Sequence, residues 1–201
     1  SFAPEQIASL ELAMCVQVSF DTLHQQDLVA GKRFAVAGLG PAGLAAVQMA
    51  RAYGAKEIVG IDLIEERRET AGNLGADHLV DPSDADALPA ERRTASAVDS
   101  AIDCTGLKVS IEYLMDRTKD AVCIFGVLRE DVVFGSRHWS GLSLIGYGDH
   151  NLGAAKRALD LINSGKLDLA PLATRTLPLS DYAEGVELLR QKKAVKVCFI
   201  P

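Results

Sequence analysis

Three glycines in the segment FAVAGLGPAGLAAVQMARAYGA, residues 34–55, are the first candidates for chemistry. Gly38, Gly40 and Gly43 have the spacing G-x-G-x-x-G between an apolar run and an amphipathic run. In that context the motif predicts a dinucleotide-binding loop rather than only a tight turn. Gly38 permits the turn, Gly40 lets the backbone approach a pyrophosphate, and Gly43 allows the helix to pack closely on the strand.

The residues that begin the helix after this loop support the same interpretation. Pro41 suits the first helical position, because its missing N–H costs least there. The free N–H groups of Ala42 and Gly43 lie at the positive end of the helix dipole and are expected to face phosphates.

An acidic residue follows the glycines at the distance that ribose binding requires. Asp62 closes the run EIVGID, residues 57–62, about 20 positions after the motif. Its alternative role is to cap the next helix. A carboxylate here disfavours a 2′-phosphate, so NAD is expected rather than NADP. Leu63, the next residue, joins the candidate cofactor-binding set.

Later apolar runs end in residues that are expected to reach the same crevice. Cys104 and Thr105 follow one run, and Phe125, Gly126 and Val127 close the next. Ligands of open α/β sheets bind at the carboxyl ends of the strands. We expect the first pair to flank an adenosine and the second group to lie nearer a nicotinamide, although each residue could serve only for packing.

Apolar runs alternate with amphipathic runs along the chain, as in a doubly wound α/β fold with a six-stranded parallel sheet, the Rossmann fold. Helices are predicted over 41–53, 65–74 and 107–117, and the sheet order is expected to be 3-2-1-4-5-6. The strands are predicted over residues 33–38, 57–62, 77–81, 97–106, 121–127 and 142–148.

Two flanks fit this series less well. Residues 4–25, 151–164 and 181–191 are predicted to be helical and residues 194–200 a strand. The 201 residues are expected to form one dinucleotide-binding domain, with its core over about 30–150. The flanks, residues 1–28 and 152–201, are expected to pack on another domain.

Composition excludes several kinds of partner. The net charge is −6 and the pI is about 5.2, with no clustered basic stripe, so a nucleic-acid partner is not expected. No run approaches the roughly 18 apolar residues of a membrane span. The four cysteines and four histidines are scattered, without C-x-x-C or zinc-ligand spacing, so no metal site is predicted. Unpaired thiols and the absence of a signal peptide favour the cytoplasm.

The chain resembles the coenzyme-binding half of the medium-chain, zinc-type alcohol and polyol dehydrogenases. The matching segments cover most of residues 30–200: VAGLGPAGLAAVQMARAYGAKEIVGID, RRETAGNLGADHLVD, AIDCTG, CIFGV and INSGKLDLAPLATRTLPLSDYAEGVELLRQKKAVKVCF. The resemblance implies a Rossmann fold that binds NAD. It also implies that Arg67 lies beside Asp62 near the adenosine ribose, and that Lys196 lies near the cofactor.

The chain departs from this family where catalysis would occur. Family members carry, ahead of such a sequence, a GroES-like domain whose Cys or Ser and His bind catalytic zinc. No such segment is present, so no catalytic residue is predicted and the chain is expected to be inactive alone. Glu11 resembles a glutamate that approaches zinc in some polyol dehydrogenases, but a helix-surface carboxylate is the favoured role.

Three functions are compatible with these residues. The favoured one is the coenzyme-binding domain of a dehydrogenase that transfers hydride to NAD. A stand-alone NAD(H)-binding redox sensor is the alternative, and an adenosylmethionine enzyme is weaker because the third glycine and the C-terminal segment favour a dinucleotide. The substrate cannot be identified from these residues.

A homodimer is expected through the sixth strand, residues 141–148. Residues 140–148 contain neither charge nor proline, the features that usually protect an edge strand. In the resembled family this strand pairs with its symmetry mate. Leu142, Leu144 and Ile145 would then be buried, with Trp139 at the boundary.

Overall fold

A parallel six-stranded sheet forms the centre of the structure. The structure is a computed structural model that describes residues 2–88 and 90–201. The six strands are β1 (Arg33–Ala37), β2 (Glu57–Ile61), β3 (His78–Val80), β4 (Val98–Asp103), β5 (Thr118–Ile124) and β6 (Ser143–Gly146). Their order in the sheet, β3-β2-β1-β4-β5-β6, is the predicted one, and the Rossmann fold is confirmed.

The helices agree with the predicted amphipathic segments, with one division and one addition, the short and unpredicted α6 (Ser136–Trp139). The leading helix breaks at Ala8 and Ser9, so it forms two helices rather than one. The helices are α1 (Pro4–Ile7), α2 (Leu10–Gln25), α3 (Pro41–Ala52), α4 (Glu65–Asn73), α5 (Lys108–Met115), α6 (Ser136–Trp139), α7 (Leu152–Asn163) and α8 (Tyr182–Arg190).

Several predicted strand bounds need correction. The fourth strand ends at Asp103 rather than at Gly106, and the sixth covers Ser143–Gly146 rather than residues 142–148. The fifth strand ends at Ile124 rather than at Val127, because the N–H groups of Phe125 and Gly126 both turn back to the Asp103 carbonyl. The terminal strand is shorter than predicted, β8 (Val197–Ile200), and pairs in parallel with the unpredicted β7 (Arg175–Pro178) in a separate two-stranded sheet. Thr-Leu-Pro is too short and too mixed a run to have signalled β7.

The flanking segments pack directly on the sheet and on α3. Phe20 and Leu23 of α2 are fully buried in the cluster that contains Phe34 of β1. Gln48 of α3 exchanges two hydrogen bonds with the backbone of Asp168, at 2.9 and 2.7 Å. Among the described residues, no helix has both the length and the apolar character needed to cross a bilayer.

A buried carboxylate shapes the turn after β4. Asp103 is fully buried and accepts hydrogen bonds from the N–H groups of Thr105 and Gly106 and from the hydroxyls of Thr105 and Ser110, at 2.7–3.2 Å. Sequence analysis did not single it out. The turn places Cys104 and Thr105 at the carboxyl edge of the sheet.

We expect Asp103→Asn to lower the free energy of unfolding by about 1–3 kcal/mol, because an amide would turn its own donors toward buried donors. Urea unfolding followed by circular dichroism measures this. Asp86→Asn, at an exposed position, is the control and should leave the value within about 0.5 kcal/mol. Equal stability of both variants would contradict the role given to Asp103.

Candidate functional site

A cavity of about 510 Å³ opens at the carboxyl ends of β1, β2 and β4. This is the position where open α/β sheets bind ligands. Its lining is largely apolar, with a few polar groups that converge on it. The lining residues are Ala37, Gly38, Gly40, Ile61, Asp62, Leu63, Ile64, Arg67, Pro82, Ser83, Cys104, Thr105, Leu107, Val109, Ser110, Tyr113 and Lys192.

Two of the motif glycines are required by the protein itself. Gly38 has a φ of +84°, and a Cβ there would lie 2.4 Å from Cγ2 of Thr105. A Cβ on Gly43 would lie 1.9 Å from the Gly38 carbonyl oxygen. Both separations are far below van der Waals contact, so the first turn of α3 can rest on the loop only without these side chains.

Gly40 differs from its neighbours. Its φ of −74° suits any residue, and a Cβ there would meet no protein atom within 4 Å. The fold therefore gives no internal reason for glycine at this position. Because Gly40 lines the cavity, the space that a side chain would fill is available to a ligand that approaches the backbone.

Backbone donors are aimed at this loop. The first backbone hydrogen bond into α3 runs from the N–H of Leu44 to the carbonyl of Gly40, at 2.9 Å. The N–H groups of Ala42 and Gly43 accordingly lack an acceptor within residues 2–88 and 90–201. Such groups at a helix N-terminus form an anion-binding site.

Asp62 lies beside the glycine loop, one position after β2. Its carboxylate accepts the N–H of Leu39 at 2.7 Å and that of Ile64 at 2.9 Å. Arg67 Nη1 lies 3.7 Å from Asp62 Oδ2. A carboxylate has about four acceptor positions, so Asp62 both fixes the loop and retains capacity toward the cavity.

The wall formed after β4 is apolar in character. Cys104 follows the strand, and desolvation raises the pKa of its thiol well above the usual value, with the negative charge of Asp103 acting in the same direction. A neutral thiol is neither a nucleophile nor an anion. Cys104 and the methyl group of Thr105 thus provide a surface suited to a flat, uncharged ring.

The structure brings seven of the predicted residues to the cavity and leaves the others outside its lining. Pro41, Ala42 and Gly43 form the adjoining start of α3. Phe125 stacks edge-on against Tyr147, with ring centroids 5.5 Å apart, Gly126 packs against the backbone of Gly106, and Val127 is exposed. The seven are Gly38, Gly40, Asp62, Leu63, Arg67, Cys104 and Thr105.

Lys196 does not line the cavity, whereas Lys192 does. Lys192 has a left-handed backbone, with φ of 58°, in the turn after α8. Sequence analysis missed it because the turn reaches the cavity only through tertiary packing. Ser83 also lines the cavity. The sequence indicated this position only weakly, because Ser83 follows the end of the predicted third strand at Asp81 by two residues.

Comparison with known proteins identifies a family. The model of the family described as zinc-binding dehydrogenase matches residues 41–147. The chain is 32% identical to (R,R)-butanediol dehydrogenase of Bacillus subtilis (strain 168) over 197 residues, which are 92% of this chain and 55% of that protein.

Solved structures agree with this match. The X-ray structure of 2R,3R-butanediol dehydrogenase from Bacillus subtilis has a TM-score of 0.84 at 28% identity, over 98% of this chain and 58% of that one. A Sinorhizobium meliloti 1021 protein assigned as a zinc-binding dehydrogenase, solved with NADP, has a TM-score of 0.79 at 28% identity, over 96% and 58%. The chain thus spans somewhat more than half the length of these relatives.

The glycine geometry predicts different effects for two similar substitutions. Gly43→Ala is expected to lower the free energy of unfolding by about 1–3 kcal/mol or more, because its methyl group overlaps the Gly38 carbonyl. Gly40→Ala should change it by less than about 1 kcal/mol, since alanine restricts the unfolded chain but caps the start of α3 less well than glycine. Urea unfolding of both variants checks this, and a stable Gly43→Ala protein would contradict the close packing.

Proposed function

The chain belongs to the zinc-binding dehydrogenase family, and we propose that its crevice binds NAD(H) for hydride transfer in an alcohol or polyol dehydrogenase. The observation that carries the proposal is Gly40, a cavity-lining glycine whose missing side chain leaves space free of protein atoms. A dinucleotide pyrophosphate is the group that needs such a backbone approach at this motif. The substrate class rests on the named relatives.

Each part of the crevice has a role in this proposal. The N–H groups of Ala42 and Gly43 hold the pyrophosphate at the start of α3. Asp62 accepts hydrogen bonds from the ribose hydroxyls, and Cys104, Thr105 and the neighbouring apolar residues contact the adenine. Bound NAD supplies a hydride acceptor. Phe125, Gly126 and Val127 lie along the path toward the nicotinamide end.

The proposal favours NAD over NADP. The Asp62 side chain, only 9% exposed, directs its carboxylate to the cavity and would repel a 2′-phosphate. Arg67 is the nearest cation to that carboxylate and pairs with it, so Arg67 is not free to offset the repulsion. The relative from Sinorhizobium meliloti 1021 was solved with NADP. The preference of this chain for NAD or NADP therefore requires direct measurement.

We expect the chain to bind NADH more tightly than NADPH, and Asp62→Ala to weaken NADH binding by roughly 10- to 150-fold. This corresponds to about 1.5–3 kcal/mol for hydrogen bonds to a charged acceptor. Titration calorimetry with both cofactors measures it. Asp160→Ala, an exposed carboxylate on α7, is the matched control and should bind as the unaltered chain does.

Asp62 also binds the N–H groups of Leu39 and Ile64, so Asp62→Ala can disturb the loop as well as the ligand contact. A second variant, Gly40→Ala, tests the site independently. Gly40→Ala should weaken NADH binding by more than about 10-fold while the free energy of unfolding changes by less than about 1 kcal/mol. NADPH binding as tight as NADH binding would contradict the stated preference. Full NADH affinity in both Asp62→Ala and Gly40→Ala would contradict the site itself.

We further propose that the protein is a cytoplasmic homodimer. All four cysteines are free thiols, as a reducing compartment would keep them. Among the described residues, β6 is an edge strand paired only with β5, and it is shorter than predicted. In the single chain Leu142 is buried, Leu144 and Ile145 are half-buried, and Trp139 is 81% exposed, so pairing of two β6 strands would cover further apolar surface.

A proline in β6 tests the dimer. Leu144→Pro should convert the protein from dimer to monomer, because proline distorts an edge strand that must pair in register. Light scattering during size-exclusion chromatography gives the mass. Leu152→Pro, at the first position of α7 where proline is tolerated, is the control. A monomeric unaltered chain at tens of micromolar, or a dimer that survives Leu144→Pro, would contradict this interface.

A further inference from the structure

Three side chains of the metal-binding types converge at the surface, outside the dinucleotide crevice. Glu11 and Cys15 lie one turn apart on α2, and His150 lies in the loop between β6 and α7. Their ligand atoms all lie within 4.8 Å of one another. The Cys15 Sγ is 3.1 Å from Glu11 Oε1 and 3.1 Å from His150 Nε2, and the third side of the triangle, from Nε2 to Oε1, is 3.5 Å.

These separations are close to those around a tetrahedral zinc ion. Zinc bonds of about 2.3 Å to sulfur and about 2.0–2.2 Å to nitrogen or oxygen place the ligand atoms of a tetrahedron about 3.3–3.7 Å apart. The separation between His150 Nε2 and Glu11 Oε1 lies in that range, and the two separations from Cys15 Sγ are shorter than expected for sulfur by about 0.4–0.6 Å. Lengthening these two separations by that amount would admit the ion.

The cluster has an entry path and an open side. Cys15 is buried and forms its floor, whereas the side chains of Glu11 and His150 are 76% and 55% exposed. The two exposed residues border the thiol on the solvent side. An ion held by all three would keep a position for water, which is the arrangement of three protein ligands and one exchangeable ligand.

We propose that Glu11, Cys15 and His150 bind one Zn²⁺ ion, with water as the fourth ligand. One sulfur, one imidazole nitrogen and one carboxylate oxygen suit zinc, whereas Mg²⁺ and Ca²⁺ take oxygen ligands. The Cys15 thiol gives its proton to the solvent as the thiolate–zinc bond forms. His150 binds as the neutral ring through Nε2.

Tyr147 completes the surroundings of this zinc site. Its hydroxyl lies 3.4 Å from His150 Nδ1, the ring nitrogen that zinc would leave free. Partners of this kind orient a metal-bound imidazole. Tyr147 also contacts the ring of Phe125, which follows β5, so the zinc site adjoins the end of the sheet where the nicotinamide is expected.

The ligand set is not the one that the family resemblance implied. That resemblance brings a Cys or Ser and a His from a separate domain and only Glu11 from this chain. Cys15 and His150 are separated by 135 positions, and only the packing of the loop on α2 brings them together. Zinc binding by these three residues does not require bound NAD.

Metal titration of the purified chain tests the site. Added to the metal-free protein, Co²⁺ should give a near-ultraviolet thiolate-to-cobalt charge-transfer band that saturates at one ion per chain, and Zn²⁺ should displace it. Cys15→Ala should abolish the band. His150→Asn, at an exposed position where folding is not at risk, should weaken cobalt binding by more than about 100-fold, beyond the effect of losing an outer partner.

Two variants serve as controls. Cys198→Ala removes a buried thiol in β8, and His78→Asn removes an exposed imidazole that pairs with Glu57; both should keep the full band. Absence of the band in the unaltered chain, or its survival in Cys15→Ala, would overturn the zinc site and leave a hydrogen-bonded cluster only. NADH titration of the same samples separates that result from failure of the dinucleotide proposal.

Discussion

The contact between Gly43 and the Gly38 carbonyl is the constraint on which the crevice depends. Because Gly43 has no side chain, the first turn of α3 can rest on the loop that leaves β1. A Cβ at this position would lie only 1.9 Å from the Gly38 carbonyl oxygen. This approach directs the helix N-terminus along the carboxyl edge of the sheet. The free N–H groups, the direction of the helix dipole and the open space at Gly40 all follow from it.

Two carboxylates then fix the rest of the crevice from the strand ends. Asp62 binds the N–H groups of Leu39 and Ile64, which joins the glycine loop to the turn after β2. Asp103 gathers four donors in the turn after β4. The difference between them is burial. Asp103 is fully enclosed and acts on the protein alone, whereas Asp62 faces the cavity and has acceptor capacity left for a ligand.

The sequence predicted those features that depend on local order along the chain. The glycine spacing, the acidic residue after β2 and the alternation of apolar and amphipathic runs led to the sheet order and to six cavity residues, and the family resemblance added Arg67. Features that depend on distant packing were not predictable. Lys192 reaches the cavity from a turn near the C-terminal end, β7 is a four-residue strand defined by its partner, and Cys15 meets His150 only in the folded protein.

The central claim is that the space beside Gly40 and Asp62 holds a dinucleotide, and a crystal structure of the chain grown with NADH tests it most directly. The account predicts the pyrophosphate against the N–H groups of Ala42 and Gly43. It also predicts an adenosine ribose hydroxyl within about 3.2 Å of the Asp62 carboxylate. NADH bound elsewhere, or a crevice that stays empty at a saturating concentration, would contradict it.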